Sequence, residues 1–165
     1  MSRTIARVEQ IARLAVAVAF LMLAAAVLLQ VIARTFLPWS PVWTEELARF
    51  SLLYLVACGA GLSLRTGDLV NVDLAIHLLP PTWRRITDTL TALAVAVFAL
   101  CLIPPSLKFM AIGSFQTSPA LAWRMDWVFA TMPLVMAMLA LFGFVRAVDA
   151  WRGDAPSVLD GAADG

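Results

Sequence analysis

Charge is missing from this chain wherever a soluble protein of its size would need it. No acidic or basic residue falls between Arg13 and Arg34, Arg49 and Arg65, Asp88 and Lys108, or Asp126 and Arg146. Histidine is reduced to His77, which excludes a bis-histidine haem and leaves a His-rich metal site without ligands. There is no phosphate-binding glycine loop, and no uncharged run carries an acid at its middle, as the spans of a proton-coupled transporter usually do. An autonomous membrane enzyme or pump is therefore not expected, nor any cofactor or catalytic residue. The net charge of +1 implies no nucleic-acid partner. The two cysteines, Cys58 and Cys101, lie inside uncharged runs and read as small apolar packing residues rather than a disulfide or reactive thiols.

What is present is apolar. The chain is 62% hydrophobic, with mean hydropathy +0.88, too much apolar surface for one small soluble core. A bilayer-spanning helix needs about 20 such residues. The runs predict spans at about 14–33, 42–64, 86–105 and 127–146, the second borrowing residues from its flanks. The expected fold is an all-α integral membrane protein with four transmembrane helices and a short interfacial amphipathic helix. Residues 1–152 form that membrane domain, and the Gly-, Ala- and Asp-rich residues 153–165 form a disordered tail.

Eight of the twelve basic residues (Arg3, Arg7, Arg13, Arg65, Arg84, Arg85, Arg146 and Arg152) fall at the termini or between the second and third spans. By the positive-inside rule both termini face the cytoplasm. Trp39, Trp43, Trp123 and Trp127 then anchor the outer interface, and Trp83, Trp151, Arg84 and Arg85 the inner one, because an indole pairs an apolar body with a polar edge. The basic start and Ala24-Ala25-Ala26 resemble a signal peptide, but the apolar stretch runs on to Ala33, too far for a cleaved leader.

Between the runs, Ser40 is a suitable N-cap and Pro41 a suitable first residue for the second helix. Leu69, Val72, Ile76 and Leu79 recur at helical spacing among Asp68, Asn71, Asp73 and His77, which predicts an amphipathic helix over 66–81 on the inner membrane surface. An extended connection is the rival. Pro104-Pro105 is expected to kink or end the third span, and Pro133 to sit one to two turns inside the fourth.

The polar constellation that stands out is Trp43-Thr44-Glu45-Glu46-Leu47-Ala48-Arg49. On a helix Arg49 lies four residues from Glu45 and three from Glu46, so either carboxylate can pair with it. Charged groups near a bilayer face protein or water, since burying them in lipid costs at least about 2.5–3.5 kcal/mol. The cluster either faces another subunit or stabilises the outer end of the bundle, or it forms an ion pair among headgroups. Ala57-x-x-x-Gly61 is a small-xxx-small pattern that lets helices approach closely, within the chain or at a docking seam. Asp68 and Asp73 read as solvated polar-face residues.

The order Trp43–Arg49, Gly59-Ala60-Gly61, Arg65-Thr66-Gly67-Asp68, Val70-Asn71-Val72-Asp73, Leu79-Pro80-Pro81 and Arg84-Arg85 resembles the small, DctQ-like membrane subunit of tripartite ATP-independent periplasmic (TRAP) transporters. Thr117-Ser118-Pro119-Ala120-Leu121, Trp127 and Pro133 resemble its third connection and fourth span. Many members carry a histidine where this chain has Leu69, so no role of that histidine carries over. The resemblance implies an accessory scaffold in the bacterial inner membrane. It implies a partnership with a large multi-span permease subunit and a periplasmic substrate-binding protein, serving sodium-coupled import of an organic anion, a carboxylate or sugar acid. The substrate and sodium sites would lie in the large subunit. In some systems the two subunits are fused, so a separate chain implies a separate partner. Glu45, Glu46 and Arg49, with Ala57 and Gly61, are the expected subunit-interface or structural residues. The alternatives are a self-sufficient homodimeric proton-coupled exporter using Glu45 or Glu46, and a membrane anchor of a redox or signalling complex.

Overall fold

The first three uncharged runs each lie within one helix, and the fourth is shared by two helices that meet at Ala130. The structure, a computed structural model, describes residues 3–36, 41–66 and 81–152. Its helices are α1 (Arg3–Phe36), α2 (Trp43–Thr66), α3 (Pro81–Gly113), the short α4 (Met125–Phe129) and α5 (Thr131–Arg152). Among the described residues there is no strand, only an isolated bridge between Thr117 and Arg124. Among the described residues, four stretches are long and apolar enough to cross a bilayer: Ile5–Phe36, Trp43–Leu64, Arg85–Gly113 and Met125–Trp151. The protein is an all-α membrane protein. Of the amphipathic helix predicted over 66–81, residues 67–80 lie outside the described residues, as do the predicted tail at 153–165 and Trp39.

The chain divides into two compact units. One comprises Met1–Gly59 and Pro104–Val135, the other Ala60–Ile103 and Met136–Gly165. In the first, α1 buries Ala12, Ala19, Ala26 and Ala33, a strict seven-residue repeat. That repeat keeps one narrow stripe on one side of a helix, and alanine there permits close backbone approach. The residues on the opposite side of the helix, Leu14, Leu21 and Leu28 among them, are exposed, which costs nothing when lipid tails are the solvent.

In the second unit the tight contacts are at glycines. A Cβ on Gly61 would lie 2.7 Å from Met138 Cβ and 3.0 Å from Phe142 Cδ2. One on Gly143 would lie 3.2 Å from both the Ala92 carbonyl oxygen and Ala96 Cβ. Helix α5 therefore packs on α2 and on α3 at positions where a side chain is missing, with Phe142 fully buried. Arg146 donates to the Leu64 carbonyl at 2.8 Å, satisfying one of the last carbonyls of α2, which have no intrahelical partner.

Three local expectations change. Helix α2 begins at Trp43, after a turn in which the Pro41 carbonyl accepts both the Thr44 amide and the Thr44 hydroxyl. Helix α3 does not stop at Pro104-Pro105 but continues to Gly113. Each proline removes the amide that would bond the carbonyl four residues earlier. Stopping a helix orphans four carbonyls, a worse outcome in a membrane. Pro133 is not deep in the last helix: the chain breaks at Ala130 and restarts at Thr131. Pro133 thus falls in a first turn, where its missing amide is of little consequence. The Thr131 hydroxyl donates to the Val128 carbonyl at 2.7 Å across that break.

Candidate functional site

The paired glutamates on the first turns of α2 have separate fates. Successive helical residues point about 100° apart, so Glu45 and Glu46 cannot share a face. Glu45 faces solvent and meets Arg49 at 3.4 Å, with both side chains more than half exposed. That is a long, screened surface pair.

Glu46 turns toward the segment between α3 and α4. Its carboxylate accepts the Ala120 amide at 3.1 Å, the Leu121 amide at 3.0 Å and the Ser118 hydroxyl. Bonds to a carboxylate are stronger than neutral ones, and these three converge on one side chain. The segment they hold is a hairpin. The Met125 amide donates to the Gln116 carbonyl at 2.9 Å and the Ser118 amide to the Trp123 carbonyl at 2.8 Å. At its tip the Ala122 amide reaches the Ser118 carbonyl at 3.0 Å. Ala122 adopts φ 52°, a left-handed conformation costly for a residue with a Cβ. Ser118 is buried beneath the tip. The arrangement is a latch between α2 and the hairpin, with Glu46 as its acceptor.

A second polar pin lies two turns further along α2. The Tyr54 hydroxyl donates to the Trp127 carbonyl at 2.6 Å. Packing completes the region: the Phe109 and Phe129 rings stack at 4.6 Å, and Gly113 lets α3 end against α4. A Cβ there would lie 2.6 Å from Phe129 Cδ2 and 2.8 Å from the Asp126 amide nitrogen. Arg124 is paired with Asp126 at 2.7 Å. No three His, Cys, Asp or Glu residues converge among the described residues, and the two thiols are free, Cys58 buried and Cys101 exposed. What this chemistry accomplishes is positioning.

Of the residues singled out from sequence, Glu45, Glu46 and Arg49 do sit together, but only Glu45 pairs with Arg49. Ala57 is fully buried, and Gly61 is buried against α5 of the same chain. Trp43, Trp83, Trp123, Trp127 and Arg85 are exposed. The side chain of Arg84 lies outside the described residues. Sequence reasoning misses Ser118 as a partner of Glu46, the close contact at Gly113, and Tyr54 and Gly143 altogether. Tyr54 carries a signal: it is the only tyrosine, set in an apolar run where a hydroxyl must find an acceptor.

Residues 22–153 match a family described as tripartite ATP-independent periplasmic transporters, DctQ component. That match takes in the latch, the Tyr54 pin and every close glycine contact described above. The chain belongs to the DctQ family. A relative, the sialic acid TRAP transporter permease protein SiaT of Haemophilus influenzae (strain 86-028NP), is 28% identical over 118 residues, covering 72% of this chain. The DctQ chain spans about a fifth of that relative's length, 19%. The DctQ assignment places the protein in a membrane transport system.

Proposed function

We propose that this chain is the small accessory subunit of a TRAP-type secondary transporter in the bacterial inner membrane. It pairs there with a large multi-span permease subunit and works with a periplasmic substrate-binding protein. The family match over residues 22–153 carries this reading. The distribution of polar groups supports it. Glu46 is committed to a loop, Arg124 to Asp126 and Arg146 to a helix end, so these groups serve the chain's own fold rather than a cargo or coupling-ion site. Those sites belong in the partner. The cargo is an organic anion, a carboxylate or sugar acid, a class that includes the sialic acid in the relative's name, and import is driven by sodium. Basic residues at both ends of the chain put both termini in the cytoplasm and the Glu46-bound hairpin on the periplasmic side.

The test is purification of the tagged chain from native membranes in mild detergent, followed by mass spectrometry. Near-equal recovery of a large multi-span permease is the expected result. Recovery of the chain alone as a stable homodimer, transporting by itself in proteoliposomes, would sink the scaffold reading and favour the exporter.

A further inference from the structure

Pro104 and Pro105 sit well inside α3. Neither has an amide, so the carbonyls of Leu100 and Cys101 have no donor four residues on. In a membrane helix a freed carbonyl is recovered by a local 3₁₀ or π adjustment, by a Ser or Thr hydroxyl, by water or by a neighbouring helix. The first three fail in α3. The chain stays α-helical through both prolines. Among the described residues no side chain donates to either carbonyl; the hydroxyls of Thr87, Thr89 and Thr91 are each committed to a carbonyl four residues earlier. Leu100 and Cys101 stand near the middle of the uncharged run between Asp88 and Lys108, about 10–12 Å along the helix from Lys108, a depth without water. The chain's own helices do not cover them either. Leu100, Cys101, Pro104 and Pro105 are exposed, while Ala92, Ala96 and Ala99 on the other side of α3 are buried.

We propose that this exposed side of α3 docks a transmembrane helix of the large permease subunit, one whose hydroxyl, amide or basic side chain donates to the Leu100 and Cys101 carbonyls. Lipid tails hold no donor, so lipid on this face would leave two adjacent acceptors unpaired in hydrocarbon, a costly state. A second copy of this chain does not fit. A two-fold contact sets a surface against itself, and the side chains exposed here are those of Val97, Leu100, Cys101, Pro104 and Pro105. They offer only the Cys101 thiol, a weak donor, so acceptors would meet acceptors. The occupant is therefore a different chain with a polar side chain at mid-membrane depth. Such a side chain is itself costly in lipid, so donor and carbonyls each relieve the other. The need for a donor follows from α3 alone; the naming of the permease rests on the transport-subunit reading above.

The test puts a photoactivatable residue in place of Val97, one turn before Cys101 on the same side, in the full chain in native membranes. Cross-linked peptides are mapped by mass spectrometry. The expected result is an adduct with the permease, on a helix that carries a Ser, Thr, Asn, Gln, Lys or Arg within a turn of the cross-link. Pro104→Ala combined with Pro105→Ala returns both missing amides to α3. That variant should cut the cross-link yield about fivefold, the worth of two interhelical hydrogen bonds in lipid. Its unfolding midpoint in mild detergent should hold or rise, because the helix regains two bonds of its own. Unchanged cross-linking in the double variant would overturn the proposal, since the carbonyls would then not be what the partner reads. So would cross-links from position 97 to lipid or to a second copy while affinity purification still recovers the permease, a result that leaves the subunit reading standing. Failure to recover the permease by either route would remove the named partner and sink both.

Discussion

Helix α2 is held to its neighbours in two regions by opposite chemistry. Around Glu46 the contact is made of atoms that are present: a carboxylate and three donors from the hairpin. Around Gly61 it is made of atoms that are absent, a missing Cβ that lets Met138 and Phe142 of α5 come within touching distance. Association of helices in lipid gains nothing from the hydrophobic effect, so close packing and polar bonds are the two means left. A packed contact fails when an atom is added, and a polar contact fails when one is removed. The two regions should therefore respond to opposite kinds of substitution.

The largest effect is expected in the packed region. Gly61→Leu drives a side chain into Met138 and should lower stability by about 2–3 kcal/mol, read as a lowered thermal unfolding midpoint in mild detergent. Gly59, two residues earlier, has nothing within 4 Å of its would-be Cβ. Gly59→Ala should be neutral or stabilising by up to about 1 kcal/mol, because alanine is the better helix former. Opposite signs at two glycines so close in sequence would establish that contact, not helix propensity, governs the difference. Equal signs would break the contrast.

Next comes the latch. Glu46→Ala removes the shared acceptor, so the Ala120 and Leu121 amides should exchange with deuterium about tenfold faster or more, a local opening rather than global unfolding. The amides of α3 should be unaffected. If residues 118–121 exchange no faster than in the parent chain, the hairpin is held by its own backbone bonds and Glu46 is incidental.

The two regions also differ in how legible their contacts are in the sequence. The all-α class follows directly from run length and the missing charges, because lipid leaves the backbone few alternatives. Glu46 stands out by residue type and position, and the Thr117–Leu121 segment by resemblance. Nothing local joins them, since they are more than 70 residues apart. Helical spacing offers Arg49 to both glutamates, and only the fold shows that Glu45 takes it. The small-residue pattern points to Gly61, but the same spacing recurs at Gly143 and Ala147, and spacing does not say which small residue meets another helix. Which helix face meets another depends on bundle geometry, which one chain's periodicity does not encode. The prolines mislead for a related reason. Whether Pro104-Pro105 ends a helix depends on the cost of ending it there, a property of the solvent and the neighbours rather than of proline.

Tyr54→Phe probes the second pin with a smaller expected effect. It removes one neutral hydrogen bond, to the Trp127 carbonyl, while keeping the ring. A loss of about 1 kcal/mol is expected, visible as a modest drop in the unfolding midpoint with the Ala120 and Leu121 amides still protected. A loss of that protection would show that the pin and the latch act as one unit.

The smallest effect is expected at the other glutamate. Glu45→Gln and Arg49→Gln each dissolve an ion pair that is 3.4 Å long and mostly exposed, for which about 0–0.5 kcal/mol is the normal worth. Neither variant should disturb the hairpin amides, because the Glu46 carboxylate makes its bonds without Arg49. Glu45 and Glu46 are identical in chemistry and adjacent in sequence, so the pair is an internal control for position. If Arg49→Gln also releases the hairpin, the guanidinium supports the latch through its field on Glu46, and the two glutamates work as one cluster. If it does not, yet Arg49→Gln lowers recovery of a partner from native membranes, the exposed Glu45–Arg49 edge is the part of α2 that faces outward to another subunit, and Glu46 faces inward to its own chain.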